Sequence, residues 1–147
     1  LAGLEADEAK NLAQTFTSIG VLYQLQDDLL DLFDAKGRGS RGSDIYEGRL
    51  SAVVLTHLDL HPADAGSVFR VLGKARERTK PEEVSTMIDL FIKGGAMHHL
   101  LRRIVLLASE LLASKSLTAS GQIHAVAREL VQRVLAPLDE LRGAGHE

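Results

Sequence analysis

The chain has 147 residues, 45% apolar and 25% charged, with a formal charge of −3, which is the composition of one globular domain able to bury a core. That balance excludes a basic nucleic-acid binder, and the absence of cysteine excludes disulfides and thiolate metal sites and points weakly to a reducing compartment. No apolar run approaches the roughly 18 residues of a membrane span, and Glu5, Asp7 and Glu8 stand where a signal peptide would be basic and then apolar, so the expected location is the cytoplasm.

From Leu4 to about Asp34 the apolar residues recur with a helical period, and Glu5, Asp7 and Glu8 sit in the first turn, where the helix dipole favours acids. The chain opens directly into this pattern without a methionine, so an upstream segment is expected to have been removed or to be supplied separately. Within the stretch, Gly20–Asp34 (GVLYQLQDDLLDLFD) carries three carboxylates in one of the most apolar parts of the chain. Wound at about 100° per residue, Ile19, Leu22, Tyr23, Leu29, Leu30 and Phe33 share a broad arc, which Val21, Leu25 and Leu32 widen to more than half the circumference. The helix is therefore expected to be buried on most sides. The narrow remaining stripe holds Gly20, Gln24, Asp27, Asp31 and Asp34, with Asp28 at its edge. Like charges four residues apart repel on a helix, and a carboxylate taken out of water without a partner costs several kcal/mol. Something positive is expected there, and a hard divalent cation fits the line.

Lys36–Ser43 (KGRGSRGS) breaks the helix and interleaves Lys36, Arg38 and Arg41 with glycine. Composition alone reads it as a solvated linker; it is also a basic loop able to fold over a diphosphate. Asp44 is a good N-cap, and Glu47 completes a capping box for a second helix running through Ser51–Leu60. His61-Pro62 ends that helix, and Pro62 starts a shorter one to about Gly73. Pro81 starts a fourth, from Glu82 to about Lys115, interrupted by Gly94-Gly95, and a fifth covers Ala119–Leu141. No strand, repeat or domain linker is expected, so residues 1–147 read as a single all-α domain, a helical bundle. His57 and His61 have a metal-ligand spacing but lie at a helix end with no third ligand nearby, and the expectation is surface histidines. His98 and His99 are adjacent and point two ways. Lys93, Arg102 and Arg103 read as the wet face of a helix whose other side carries Ile92, Met97, Leu100 and Ile104, and Met87 and Met97 read as core filler.

Two segments together, Tyr23-Gln24-Leu25-Gln26-Asp27-Asp28-Leu29-Leu30-Asp31 and Gly42-Ser43-Asp44-Ile45-Tyr46-Glu47-Gly48-Arg49-Leu50-Ser51, resemble the second aspartate-rich region of the trans-isoprenyl diphosphate synthases, whose pattern is roughly FQxxDDxxD, a short loop, then GxDxxEGKxT. The lead-in LAGLEADEAKNLAQTFTSIG resembles the same family, and the resemblance extends faintly past Ser51. It implies the C-terminal half of an isoprenoid-synthase bundle and a Mg²⁺-dependent condensation of an allylic diphosphate with isopentenyl diphosphate. By the same resemblance Asp27 is the surest metal ligand, Asp31 the next, Asp28 a ligand or a support to one, and Asp44 lies near a metal-bound water. Gln24 is placed to contact the reacting end of the substrate, and Thr17 and Gly20 leave room for an apolar tail. Arg38, Arg41 and Arg49 would bind the diphosphate. Two positions depart from the pattern: the lysine before GxD is out of register, near Gly39 and Ser40, and the EGKxT lysine is Arg49, which binds phosphate bidentately rather than as a point charge.

The family's first aspartate-rich helix and its basic residues for isopentenyl diphosphate have no counterpart in this chain. The expectation is an enzyme half that catalyses nothing alone, joined by an N-terminal half or partner subunit in an assembly that dimerises as the family does. A non-catalytic regulatory subunit of a complete synthase, and a terpene-synthase-like enzyme of the same fold, remain as alternatives. The residues capping the family's tail pocket belong mainly to the missing half.

Overall fold

Proline and glycine set the joints of this chain. Among the residues described by the computed structural model, 6–33, 41–118 and 121–143, there are helices and no strand. In order they are α1 (Ala6–Asp31), α2 (Ser43–Tyr46), α3 (Ala52–Leu60), α4 (Ala65–Leu72), α5 (Pro81–Lys93), α6 (Ala96–Ala113), α7 (Lys115–Thr118) and α8 (Gln122–Gly143), with 3-10 turns at Pro62–Asp64 and Arg76–Arg78. Pro62 and Pro81 stand at first helical positions, where a missing N–H costs nothing. Gly73 and Gly94 end α4 and α5. At the next joint Gly95 takes φ 78°, a left-handed conformation that glycine adopts without penalty. The all-α reading holds, with the expected boundaries at Leu60, Pro62, Gly73, Pro81 and Gly94-Gly95.

The helices form two compact units, Leu1–Gln26 with Arg103–Glu147, and Asp27–Arg102. In the first, Leu12, Ile19 and Leu22 of α1 are buried, as are Ile104, Ala108 and Leu111 of α6, Leu117 of α7, and Ala127, Val131, Val134 and Leu138 of α8. Pro137 lies inside α8 and has no N–H to give to its ladder. In the same turn the buried Gln26 side chain donates to the Val134 carbonyl at 2.7 Å. The ends of α7 are tied to α8 by His124 Nδ1, which donates to the Ser116 carbonyl, and by Arg128, which donates to that of Leu117. The apolar arc expected to cover most of α1 is open on one side: Val21 is 49% and Tyr23 57% exposed.

The second unit buries Leu29, Leu30 and Leu32 at the end of α1, Ile45 of α2, Val53 and Val54 of α3, Val68, Val71 and Leu72 of α4, and Val84, Met87, Ile88 and Phe91 of α5. Met87 is core, as its helical spacing implies, and Lys93, His98, His99 and Arg102 are exposed.

Two expectations are corrected here. The capping box of Asp44 and Glu47 does not start the helix through Ser51–Leu60. Asp44 lies inside the separate helix α2, and the chain turns at Gly48 before α3 begins. Gly48 has φ 67°, and a Cβ there would stand 2.4 Å from the Leu72 carbonyl oxygen, so the two helices cannot be continuous through it. The second correction concerns His57, which is not a surface residue: it is 0% exposed. Its Nε2 lies 3.0 Å from Asp64 Oδ2, and its ring packs on those of His61 and Phe91 at 4.9 and 5.1 Å. A Cβ at Gly94 would meet the His57 ring at 2.7 Å, so this joint must be glycine for the histidine to be buried against it.

Candidate functional site

The acidic turn Asp27–Asp31 that closes α1 enters the second unit among Leu29, Leu30 and Leu32, and two of its carboxylates are buried with it: Asp28 is 8% and Asp31 7% exposed. Water cannot solvate them fully, and the chain supplies donors instead. Asp31 Oδ1 accepts the Ser43 hydroxyl at 2.5 Å, Asp31 Oδ2 accepts the Asp44 N–H at 3.0 Å, and the Asp31 carbonyl accepts the Gly42 N–H at 2.9 Å. Three consecutive residues thus bind one aspartate. Asp28 Oδ2 accepts the Ala52 N–H at 2.6 Å, at the first position of α3, where Ser51 makes no side-chain cap. The two carboxylates therefore act as remote caps for the starts of α2 and α3, satisfying N–H groups that have no acceptor inside their own helices. An anion at a helix start also sits in the favourable end of the dipole of α3.

The turn that aims these donors depends on Gly42. It has φ 74°, and a Cβ there would stand 2.7 Å from Val84 Cγ1. Glycine therefore lets the chain press against α5 while Ser43 and Asp44 face Asp31. The Gly-Ser-Asp triplet was readable as a turn in the sequence, but Ser43 went unremarked as a functional side chain. The signal available was a hydroxyl residue after a glycine, twelve residues beyond an aspartate in an apolar run.

The remaining acids and arginines of the sequence reading are placed differently. Asp27 is half-buried, and Asp44 is half-buried with its carboxylate 3.4 Å from Arg49 Nη1. Arg49 Nη2 lies 2.7 Å from Glu47 Oε2, and Arg76, also missed, holds the other oxygen of Glu47 at 3.1 Å with its guanidinium 5.7 Å from the centre of the Tyr46 ring. Arg49 is thus drawn toward acids of its own turn. Arg41 uses Nε to donate to the Leu32 carbonyl at 2.5 Å, satisfying a main-chain acceptor just beyond α1. Gln24 is an exposed residue of α1 in the first unit. Arg38, Lys36 and Asp34 lie outside the described residues.

The second unit therefore brings together Asp28, Asp31, Ser43 and Asp44 around the starts of α2 and α3. These are hard oxygen donors suited to magnesium, which takes one or two carboxylates and completes its shell with water and phosphate oxygens. Among the described residues, no group of three or more Asp, Glu or His side chains is placed to hold a metal ion unaided. A metal there would take at most two of these carboxylates and fill the rest of its shell with water or phosphate oxygens, since the Asp44 carboxylate itself faces Arg49. No described helix is long and apolar enough to cross a membrane.

Compared with known proteins, residues 1–91 match the family model described as polyprenyl synthetase. The matched stretch contains the acidic turn, α2 and α3, and ends within α5. No curated protein and no solved structure matches the chain.

Proposed function

From a match over 91 of its 147 residues the chain belongs to the polyprenyl synthetase family, and on that premise we propose that it is the diphosphate-ionising half of a prenyltransferase, condensing an allylic diphosphate with isopentenyl diphosphate. The observation that carries the reading is the pair of buried carboxylates, Asp28 and Asp31, inside the family-matched segment. In such a condensation the carbon–oxygen bond of the allylic diphosphate breaks and pyrophosphate leaves with the electron pair. The double bond of isopentenyl diphosphate attacks the allylic cation, and loss of a proton from the neighbouring carbon restores a double bond.

Magnesium, when bound, neutralises charge developing on the departing pyrophosphate. Asp27 would hold the metal first and Asp31 next, with Asp28 as a further ligand or a support to one, and Asp44 would act on it through water. The chain's own contribution is orientation. Asp28 and Asp31 are held by main-chain N–H groups and a hydroxyl, so their carboxylates need no reordering when a cation arrives. Gln24 is proposed to contact the reacting end of the substrate, and Arg38, Arg41 and Arg49 its diphosphate. Arg49 would have to exchange Asp44 and Glu47 for phosphate oxygens.

A partner carrying the first aspartate-rich region completes the proposal. The half-exposed Val21 and Tyr23 on α1 support it, since large apolar side chains left in water at the middle of a long helix favour being covered. The ion-paired state of Arg49 favours the second reading, a regulatory subunit whose arginine no longer serves substrate. Mixing the chain with a polypeptide bearing the first aspartate-rich region, and following transfer from labelled isopentenyl diphosphate with and without magnesium, separates the readings. Magnesium-dependent transfer that Asp27→Ala lowers by orders of magnitude supports the catalytic half. Partner activity indifferent to Asp27→Ala supports the regulatory subunit, and full turnover by this chain alone contradicts the half-site proposal.

A further inference from the structure

We infer that Ser43 is a positioning residue for metal binding: its hydroxyl fixes the orientation of the Asp31 carboxylate and so the direction in which that carboxylate offers an oxygen to a divalent cation. The inference rests on the magnesium-dependent reading above and adds a residue that reading does not contain.

Without that hydroxyl the Asp31 carboxylate would be free to turn. The terminal torsion of an aspartate is soft, with a broad two-fold preference rather than sharp wells. At 7% exposure Asp31 has little water to orient it. The N–H of Asp44 fixes only Oδ2, at 3.0 Å, and a carboxylate held at one oxygen can still turn about that contact. The Ser43 hydroxyl on Oδ1 provides the second point and stops the rotation. At 2.5 Å it lies in the range of a charge-assisted O–H···O bond, roughly twice as strong as a neutral one.

The hydroxyl is itself held in place. Its main chain follows Gly42, whose left-handed conformation and close approach to Val84 allow no side chain, and whose N–H is bonded to the Asp31 carbonyl. Ser43 therefore cannot drift away from Asp31 without moving the packing of α2 on α5. A carboxylate oxygen carries two lone pairs, so an oxygen that accepts one hydrogen bond from the chain keeps capacity for a cation. Donors of this kind are how proteins orient carboxylate ligands, and losing one typically lowers metal affinity about 10–100-fold. A bare structural role gives no such expectation. The same bond ties the first residue of α2 to α1 and so contributes to stability, which is why folding is recorded beside affinity for every variant.

The test uses the full chain with Mn²⁺ as the metal and inorganic pyrophosphate as its co-ligand, and reads free Mn²⁺ by its paramagnetic resonance signal. Wild type, Asp27→Ala, Ser43→Ala, Ser43→Cys and Ser43→Thr are compared, each with its helicity and urea midpoint recorded. The expected order of affinity is wild type close to Ser43→Thr, then Ser43→Cys, then Ser43→Ala, the last weaker by about 10-fold or more. Ser43→Cys keeps an unbranched side chain of similar shape, somewhat larger and with a weaker donor, so it reports on the hydrogen bond should Ser43→Ala fail to fold. Ser43→Ala or Ser43→Cys binding as tightly as wild type, while Asp27→Ala abolishes binding, overturns the role of Ser43 and leaves the metal site standing. Equal weakening in Ser43→Thr and Ser43→Ala overturns it too, because the hydroxyl would then not be the cause. Mn²⁺ binding indifferent to Asp27→Ala overturns the underlying site, and the inference falls with it.

Discussion

Replacing Asp31 by alanine should destabilise the fold severely, although it removes a buried negative charge from a row of negative charges. The carboxylate accepts two hydrogen bonds, from the Ser43 hydroxyl and the Asp44 N–H. Bonds to charged groups contribute about 1.5–3 kcal/mol each, and their loss leaves a donor without an acceptor in a site closed to water. Against this stands the relief of repulsion between Asp27 and Asp31, four apart on α1, about 0.2–0.5 kcal/mol. The dipole of α2 adds little, since that helix has four residues. The donors win, and the net loss for Asp31→Ala is about 3 kcal/mol. Asp31→Asn keeps the shape and one acceptor, and the Ser43 hydroxyl can turn to accept from the amide, so about 1 kcal/mol should be lost. Urea unfolding followed by far-UV circular dichroism reads the difference: with a dependence of about 1–3 kcal/mol per molar, Asp31→Ala should lower the midpoint by about 1–3 M and Asp31→Asn by a fraction of that. The Asp44 amide should also exchange its hydrogen faster in Asp31→Ala than in wild type. A midpoint for Asp31→Ala at or above that of wild type would refute the reasoning, because it would mean that the repulsive row outweighs the caps.

Other positions give independent checks. Gly48→Ala must place a Cβ against the Leu72 carbonyl oxygen in a left-handed conformation, and should lose about 2–4 kcal/mol in the same unfolding assay. Gly20→Ala has open space around the new methyl within α1 and should gain about 0.5–1 kcal/mol; if both changes act in the same direction, the backbone account fails. The Lys74 ammonium, 2.5 Å from Glu83, holds that carboxyl below its ordinary value of 4.5, helped by the Lys80 N–H. A depressed carboxyl contributes stability above its unfolded value and loses it as pH falls through the folded one. The melting temperature of wild type should therefore exceed that of Glu83→Gln at neutral pH and converge on it below pH 4.5, and a gap that persists under strong acid would assign the difference to something other than charge. Gly94→Ala should expel the buried His57 ring and lower stability by about 1–3 kcal/mol, read by urea titration.

The sequence made the helices legible because their joints are written in proline and glycine, the two residues whose backbone rules do not depend on tertiary context. It made the acidic turn legible as a physical conflict: carboxylates among Leu29, Leu30 and Leu32 demand a positive partner. What it could not supply was the partner's identity in the folded chain. Main-chain N–H groups carry no residue signature, and the donors at Asp44 and Ala52 lie 13 and 24 residues from the acids they serve. The same blindness explains Asp44, whose local pattern satisfied a capping box while the decisive geometry was the left-handed turns at Gly42 and Gly48 on either side of it. His57 escaped for a related reason. Its place at a helix end suggested exposure, but burial was decided by a glycine 37 positions away that leaves room for the ring.

The acids around α2 and the start of α3 are met in two different ways, and the difference bears on where a cation could act. Asp28 and Asp31, buried, are met by fixed dipoles and a hydroxyl that cannot leave. Asp44 and Glu47, nearer the surface, are met by the guanidinium groups of Arg49 and Arg76, which sit on long flexible stems. Surface ion pairs of that kind contribute at most about 1 kcal/mol and exchange readily, whereas a carboxylate fastened to helix starts cannot be moved without disturbing α2 and α3. An incoming metal diphosphate would therefore find the buried acids already aimed and the arginines free to change partners. Substituting Arg49 with lysine tests that division: it removes the bidentate fork that now grips Asp44 and Glu47, and should leave the unfolding free energy from urea titration within about 0.5 kcal/mol of wild type, while Asp28→Ala, which strips the start of α3 of its acceptor, should lower that free energy by about 1.5–3 kcal/mol. Equal losses would place both sets of contacts on the same footing and remove the reason for treating the inner pair as the prearranged part of the site.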